Sequence, residues 1–364
     1  MSRSCVRGGI SSLQSISAAV AVAVATVCSA AGTTGAPSLP KDVTGTDGVK
    51  TYLLAVVEQT NTASADLQKA AGEYGQLIAD NGGTPAAAAA AKPEQVAALI
   101  KRMREDYQQI DSYGYEYVEG IVAGVPSLMK YDVELDAGVP AAGAELQDNI
   151  ADVKIVAGDL VINKEGSLNN FLIEPTVFGT NERFIDGTAT LPGFDKPVGL
   201  PKPKLIAALA DYAVDGYGRL KKDATAWQPT DKDCFHVVAN MTPTLADYFD
   251  DWKETKKNGM AEGGRFVAVS RLSDMRGIMA STRLAWVAVA PKVKDKDAAL
   301  ADKVTRGYDQ VLAFIDTIDA REAKQPLKVE TIDALGTQAK DKTDQLTVQG
   351  TQAAAILGID VNAK

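Results

Sequence analysis

Apolar residues along this chain recur mainly at helical spacing. From Leu300, the positions Val304, Tyr308, Val311, Leu312, Ile315 and Ile318 fall at offsets 4, 8, 11, 12, 15 and 18, one stripe at 3.6 residues per turn. Similar stripes run through Leu53, Val56, Val57, Thr60, Leu67, Tyr74, Leu77 and Ile78, and through Leu205, Ile206, Leu209, Tyr212, Ala213, Tyr217 and Leu220. Clean alternation with period two is nearly absent. The pattern predicts helices over about 47–80, 93–123, 141–157, 202–225, 242–258, 265–289, 296–322 and 329–357, with a short one near 178–186. Pro93, Pro203, Pro243 and Pro291 stand where starts or breaks are expected, and Thr242 and Thr244 can cap a helix. The fold class this implies is all-α, a helical bundle.

Two stretches break the pattern. Gly187 to Pro203 carries Pro192, Pro197, Pro201 and Pro203 with Gly187, Gly193 and Gly199, and reads as an irregular Gly/Pro-rich crossover. The tract from Thr84 to Ala91 is an Ala-rich loop or weak helix start. A boundary near residue 200 then divides the chain into an N-terminal helical lobe, 47–200, and a C-terminal one, 201–358. The first thirty residues stand apart from both. Arg3 and Arg7 precede a small-residue apolar run from Ile16 to Val27, and Ser29-Ala30-Ala31 offers a cleavage site, as in a secretory signal peptide over 1–30. A membrane span needs about 20 apolar residues, and this run is shorter. The mature protein is therefore expected to be secreted, in a periplasmic space or at the cell surface, with no membrane span.

Composition narrows the chemistry. With 38 Lys and Arg against 47 Asp and Glu, the formal charge is −9, which argues against a nucleic-acid partner, since such binding neutralises phosphates with basic side chains. A single histidine, His236, removes any zinc site needing two imidazoles. Of three cysteines, Cys5 and Cys28 lie in the predicted signal, so Cys234 remains alone and no internal disulfide forms. Cys234 and His236 are two apart and share no helix face, so a buried, inert thiol is the simpler reading than a catalytic one. There is no phosphate loop, dinucleotide fingerprint, GxSxG elbow or CxxC. Binding through oxygen is better supported than catalysis, and no catalytic residue is assigned.

The densest polar and aromatic cluster is Asp111-Ser-Tyr113-Gly-Tyr115-Glu116-Tyr117-Val-Glu119, followed by Tyr131-Asp132-Val-Glu134-Leu-Asp136. On a helix, Tyr113, Glu116 and Tyr117 share a face, and Glu116 and Glu119 at i, i+3 can both reach one cation. Carboxylates and phenolates are hard donors suited to a hard cation, Fe(III) above all, which can take a phenolate as ligand. The plain alternative is that the tyrosines are core and the acids a solvated face. Asp247, Tyr248, Asp250 and Asp251 crowd one helix start, where carboxylates repel unless a cation or an Arg offsets them, although acids are also favoured there by the helix dipole. Tyr113, Glu116, Tyr117 and Glu119 echo Tyr248, Asp251, Trp252 and Glu254 at a constant separation of 135 residues, which suggests two related helices facing a shared cleft. Arg183 lies at the mouth of the crossover. Arg271 and Arg276, with Ser270, Ser273 and Asp274, put cationic groups and hydroxyls into an apolar helix; they form simple ion pairs or hold a small oxyanion such as carbonate or phosphate.

The stretches Ile110 to Leu128, Leu245 to Lys253 and Phe266 to Gly277 resemble the algal phytotransferrins, the group that includes iron-assimilating, high-CO2-inducible periplasmic proteins. The resemblance covers roughly 47–358. It implies capture of Fe(III) outside the cell with carbonate as synergistic anion, feeding a downstream iron reductase or permease. Membrane-anchored members carry a C-terminal spanning helix; no segment here has that length, so the tethered-receptor role does not carry over. A more distant similarity is to the imelysin-like proteins of bacterial iron uptake, marked by GxHxxE. The nearest segment here is Gly179-Thr-Asn181-Glu-Arg-Phe184, with Asn for His and Phe for Glu, so the family's metal ligands and any peptidase activity do not transfer at these positions. The expected ligands are drawn from Tyr113, Glu116, Glu119, Tyr131, Asp132, Asp247, Tyr248 and Asp251, and the anion partners from Arg183, Arg271 and Arg276. The alternatives are an imelysin-type metal-dependent peptidase-like protein and a cell-surface structural protein that binds no metal.

Overall fold

A computed structural model describes residues 43–141, 149–258 and 271–361; the predicted signal peptide and the segment holding Ser270 lie outside them. The longest apolar stripes form the longest helices. Helix α1, Gly45–Asp80, buries Leu53, Val56, Val57, Leu67 and Tyr74 along one face, and each such side chain contributes about 1.5–3 kcal/mol when fully removed from water. The Ala-rich tract is a helix, α2 (Pro85–Ala91), because Thr84 Oγ1 accepts from the Ala87 amide at 3.2 Å and Pro85 opens the first turn. Helix α3, Pro93–Ile110, runs into a wide five-residue π turn, π1 (Asp111–Tyr115), and continues as α4, Glu116–Gly124. Helix α5 (Met129–Asp132) passes likewise into π2 (Val133–Ala137), and a third π segment, π3 (Leu168–Ile173), leads into α6, Glu174–Val177.

The sequence pattern misreads the middle of the chain. Of the helix expected over 141–157, the described part holds no α-helix and ends in strand β1 (Lys154–Ala157), which pairs antiparallel with β2 (Leu160–Asn163) around Gly158 at φ 66°. The short helix near 178–186 shrinks to a single 3-10 turn, Glu182–Phe184. The Gly/Pro-rich segment is ordered too: β3 (Ile185–Ala189) pairs with β4 (Val198–Pro201), and its prolines sit at the turn, at β4's end and at the start of the next helix. A two-stranded edge tolerates such prolines, which an irregular crossover does not require.

The rest of the described chain carries six helices: α7 (Pro203–Ala226), α8 (Asp231–Met241), α9 (Leu245–Asn258), α10 (Arg271–Lys294), α11 (Ala298–Glu322) and α12 (Val329–Ile356). The all-α bundle is thus the fold, with two small hairpins attached. Helix α8 was not expected, though its start is legible as a capping box between Thr230 and Asp233. Helix α1 packs on α3 and α7, α10 on α4, α8 and α11, and α12 on α9. Helices from before and after residue 200 therefore touch directly, α1 with α7 and α4 with α10. Cys234 is buried, and burial pushes its thiol up to about 12. Among the described residues no helix is long and apolar enough to cross a membrane.

Candidate metal centre

The three π turns converge on one buried polar cluster. A π turn carries more residues per turn than an α-helix, so it re-aims the side chains that follow and frees backbone groups, which is why such turns recur at functional sites. From π1 comes Asp111, from the first turn of α4 Glu116 and Glu119, from π2 Asp136, and from π3 Asn169 and Asn170. Asp274 enters from α10. Helix α10 can approach because Gly277 lies against the Glu116 backbone, where a Cβ would stand 2.9 Å from its carbonyl carbon and oxygen. Gly120 of α4 returns the contact, since a Cβ there would come within 2.6 Å of Thr282 Oγ1.

The carboxylates fall into two groups of three that share Glu116. Ligand oxygens of Asp111, Glu116 and Asp274 lie within 4.8 Å of one another, and so do those of Glu116, Glu119 and Asp136. All five residues are at most 4% exposed. The Asn169 amide nitrogen spans the groups, at 3.0 Å from Asp111 Oδ1 and 3.4 Å from Asp136 Oδ1, and it also lies 2.9 Å from the Tyr217 hydroxyl oxygen. Asn170 Nδ2 donates to Asp136 Oδ1 at 3.0 Å. Phenols supply the rest of the wall: Tyr107 donates to Asp111 Oδ2 at 3.1 Å, Tyr115 to Asp132 Oδ1 at 3.0 Å, and Tyr248, from α9, to Glu119 Oε1. Glu116 Oε2 is buried with no hydrogen-bond partner.

Electrostatics follow from this crowding. Burial, then the negative charge of Glu119, Asp274, Asp136 and Asp111, holds the Glu116 carboxyl well above the usual range. Asp132 is raised by burial and by Glu119, with the Tyr115 hydrogen bond opposing. Tyr248 is pushed far up by burial and by Glu119, so its phenol keeps its proton unless a cation displaces it. The carboxylate and phenol oxygens of this buried cluster are the hard donors a highly charged cation favours, and such a cation must displace the protons they hold.

Of the residues singled out in the sequence, Glu116, Glu119 and Tyr248 meet in this cluster, with Asp132 beside Glu119. Tyr113 is half-buried on π1. Tyr131 turns its hydroxyl to Asp223 Oδ2 at 2.8 Å, where Lys130 also pairs. Asp247 is exposed and Asp251 half-buried on α9. Arg183 is exposed and paired with Glu165, while Arg276 pairs with Asp316 at 2.7 Å and reaches the Tyr117 hydroxyl at 3.5 Å. Arg271 opens α10; its side chain lies outside the described residues. Asp111, Asp136, Asn169 and Asp274 were not expected as site residues. Asp111 and Asp136 stood in the stretch already marked by its acids and tyrosines, but Asn169 carried no signal at all.

The imelysin family model, a peptidase family M75 by its label, matches residues 173–354, from the end of π3 through nearly all of α12. The chain belongs to the imelysin family. Comparison with curated proteins and with solved structures gave no match. Within this imelysin domain, the segment nearest the GxHxxE mark contributes nothing to the cluster through its two altered positions. Asn181 Oδ1 accepts from the Arg183 amide at 3.0 Å to cap a 3-10 turn, and Phe184 is buried in the core. Asp274 is the one member of the two carboxylate groups inside the matched range; the others precede it.

Proposed function

We propose that this protein binds Fe(III) as cargo, outside the plasma membrane, for high-affinity iron uptake, and that it is a binding protein and not a peptidase. The observation that carries the reading is the pair of buried carboxylate groups joined at Glu116, walled by phenols. Fe(III) favours hard oxygen donors and can draw a phenolate from a tyrosine whose proton is otherwise firmly held. Glu116, Glu119 and Tyr248 are the sequence-derived ligands that this geometry supports, and Asp111, Asp136 and Asp274 join them. The imelysin membership and the phytotransferrin-like stretches around Ile110 to Leu128 and Phe266 to Gly277 support an iron-uptake role. The replacement of the motif's His and Glu by Asn181 and Phe184 supports binding over hydrolysis.

Carbonate completes the coordination in this reading. Its partner is Arg271, three residues before Asp274 on the helix that supplies that ligand; Arg183 and Arg276 already face Glu165 and Asp316. A downstream reductase or permease takes the iron onward. The test is a titration of the full chain, stripped of metal, with ferric citrate in the presence and absence of bicarbonate. The expected result is a visible phenolate-to-iron charge-transfer band that weakens without bicarbonate and is lost in Tyr248→Phe. A colourless protein that retains no iron on gel filtration would sink the reading, and peptide cleavage abolished by chelators would replace it with the enzymatic one.

A further inference from the structure

We infer that the centre takes two cations, bridged by the Glu116 carboxylate. The inference rests on the ferric reading above and adds its stoichiometry and electronic character. Two separate triads of oxygens, one closed by Asp274 and Asp111, the other by Glu119 and Asp136, have Glu116 in common. A hard cation bound at about 2.0–2.1 Å spans opposite oxygens about 4 Å apart, so a triad within 4.8 Å closes around one ion by movements of less than an ångström. One ion does not serve both triads as they stand, because the oxygens close to within 4.8 Å of one another inside each triad and not across all five carboxylates. Glu116 offers a buried oxygen, Oε2, with no hydrogen-bond partner, in a residue only 1% exposed. A carboxylate carries two donor oxygens and can give one to each ion, a spacing that suits metal pairs about 3.5–4 Å apart. Asn169 supports the arrangement: its amide nitrogen contacts Asp111 of one triad and Asp136 of the other and so ties the two together. Helix bundles commonly place carboxylates from facing helices around such paired ions.

The experiment loads the metal-free full chain with ferric nitrilotriacetate, removes excess by gel filtration, and reads iron per chain by mass spectrometry together with electron paramagnetic resonance. Two irons per chain with no isolated ferric resonance, the sign of antiferromagnetic coupling through a shared ligand, are expected. Asp274→Asn and Asp136→Asn, near-isosteric and checked for fold by circular dichroism, should each reduce the count to one and bring out the isolated resonance. One iron per chain with that resonance in the unaltered protein overturns the inference while leaving the ferric reading intact. Two irons with isolated resonances overturn the bridging role of Glu116. No iron at all overturns both readings, and the wild-type measurement decides among these outcomes even if a variant does not fold.

Discussion

A buried carboxyl that lacks a hydrogen bond costs stability unless it is protonated or coordinated. Glu116 has one such oxygen, Oε2, among neighbours that are also acidic. Glu116→Gln keeps the shape and removes the charge whose burial raises the pKa, so the metal-free protein should be more stable than the parent at neutral pH. The same variant should no longer retain iron. Urea melts of the stripped variant and parent, with iron analysis of the loaded forms, check both halves; a variant less stable than the parent would contradict the electrostatic account. Asn169 acts differently, as the donor that orients Asp111 and Asp136. Asn169→Ala leaves buried acceptors without that donor, a loss of about 1–3 kcal/mol. Iron affinity should fall roughly 10–100-fold, as when supporting partners of metal ligands are removed. Competition with a chelator of known strength measures it.

Helix α4 brings its acids to the centre only because α10 lies close against it, and the two glycines at that crossing set the distance. Gly277→Ala places a methyl against the Glu116 backbone, where nothing at the end of a flexible side chain can give way. The expected cost is about 1–3 kcal/mol, with weakened iron binding as Asp274 draws back from Glu116. Normal affinity in a destabilised variant would mean that the centre does not depend on this helix spacing. At the other end of the bundle, Thr230→Ala removes the side-chain acceptor that caps α8, lowering stability by about 1 kcal/mol without touching the centre. Thermal melts together with unchanged iron binding would separate the two helices' roles. The π turns explain why helical spacing alone misjudged the cluster. An α-helix through 111–115 would keep Tyr113, Glu116 and Tyr117 on one face, whereas in the structure Glu116 joins the acids, Tyr113 is half-buried, and Tyr117 turns its hydroxyl to Arg276.

For the molecule as a whole, the buried acids link stability to pH and to metal. Glu116 and Asp132 both have pKa values raised in the fold, so the folded chain holds their protons more tightly than the unfolded one. Their contribution is therefore most favourable at pH below the ordinary carboxylate range and is lost as pH rises through that range toward the raised values. Iron inverts the trend, because it binds the deprotonated cluster and is displaced by protons. Melting temperatures of stripped and loaded protein, taken upward from the ordinary carboxylate range, should diverge with rising pH, and loaded protein should release iron on acidification. Parallel curves would show that iron does not bind to these groups.

Amphipathic periodicity determined the long helices from the sequence alone, because burying an apolar face at 3.6-residue spacing is a local and repeated constraint that α1, α7, α11 and α12 satisfy without help from distant residues. It also made Glu116 and Glu119 legible as a pair on one helix. The hairpins at 154–163 and 185–201 were not legible, since a strand of four or five residues carries too little pattern. Nor were the π turns, whose extra residue leaves no mark in composition. The assembly of Asp111, Glu116, Glu119, Asp136, Asn169 and Asp274 was decided only in three dimensions. They come from separate segments up to 163 residues apart, and what joins them is the close crossing of α4 with α10 and the re-aiming of three π turns, which no spacing in one dimension can express.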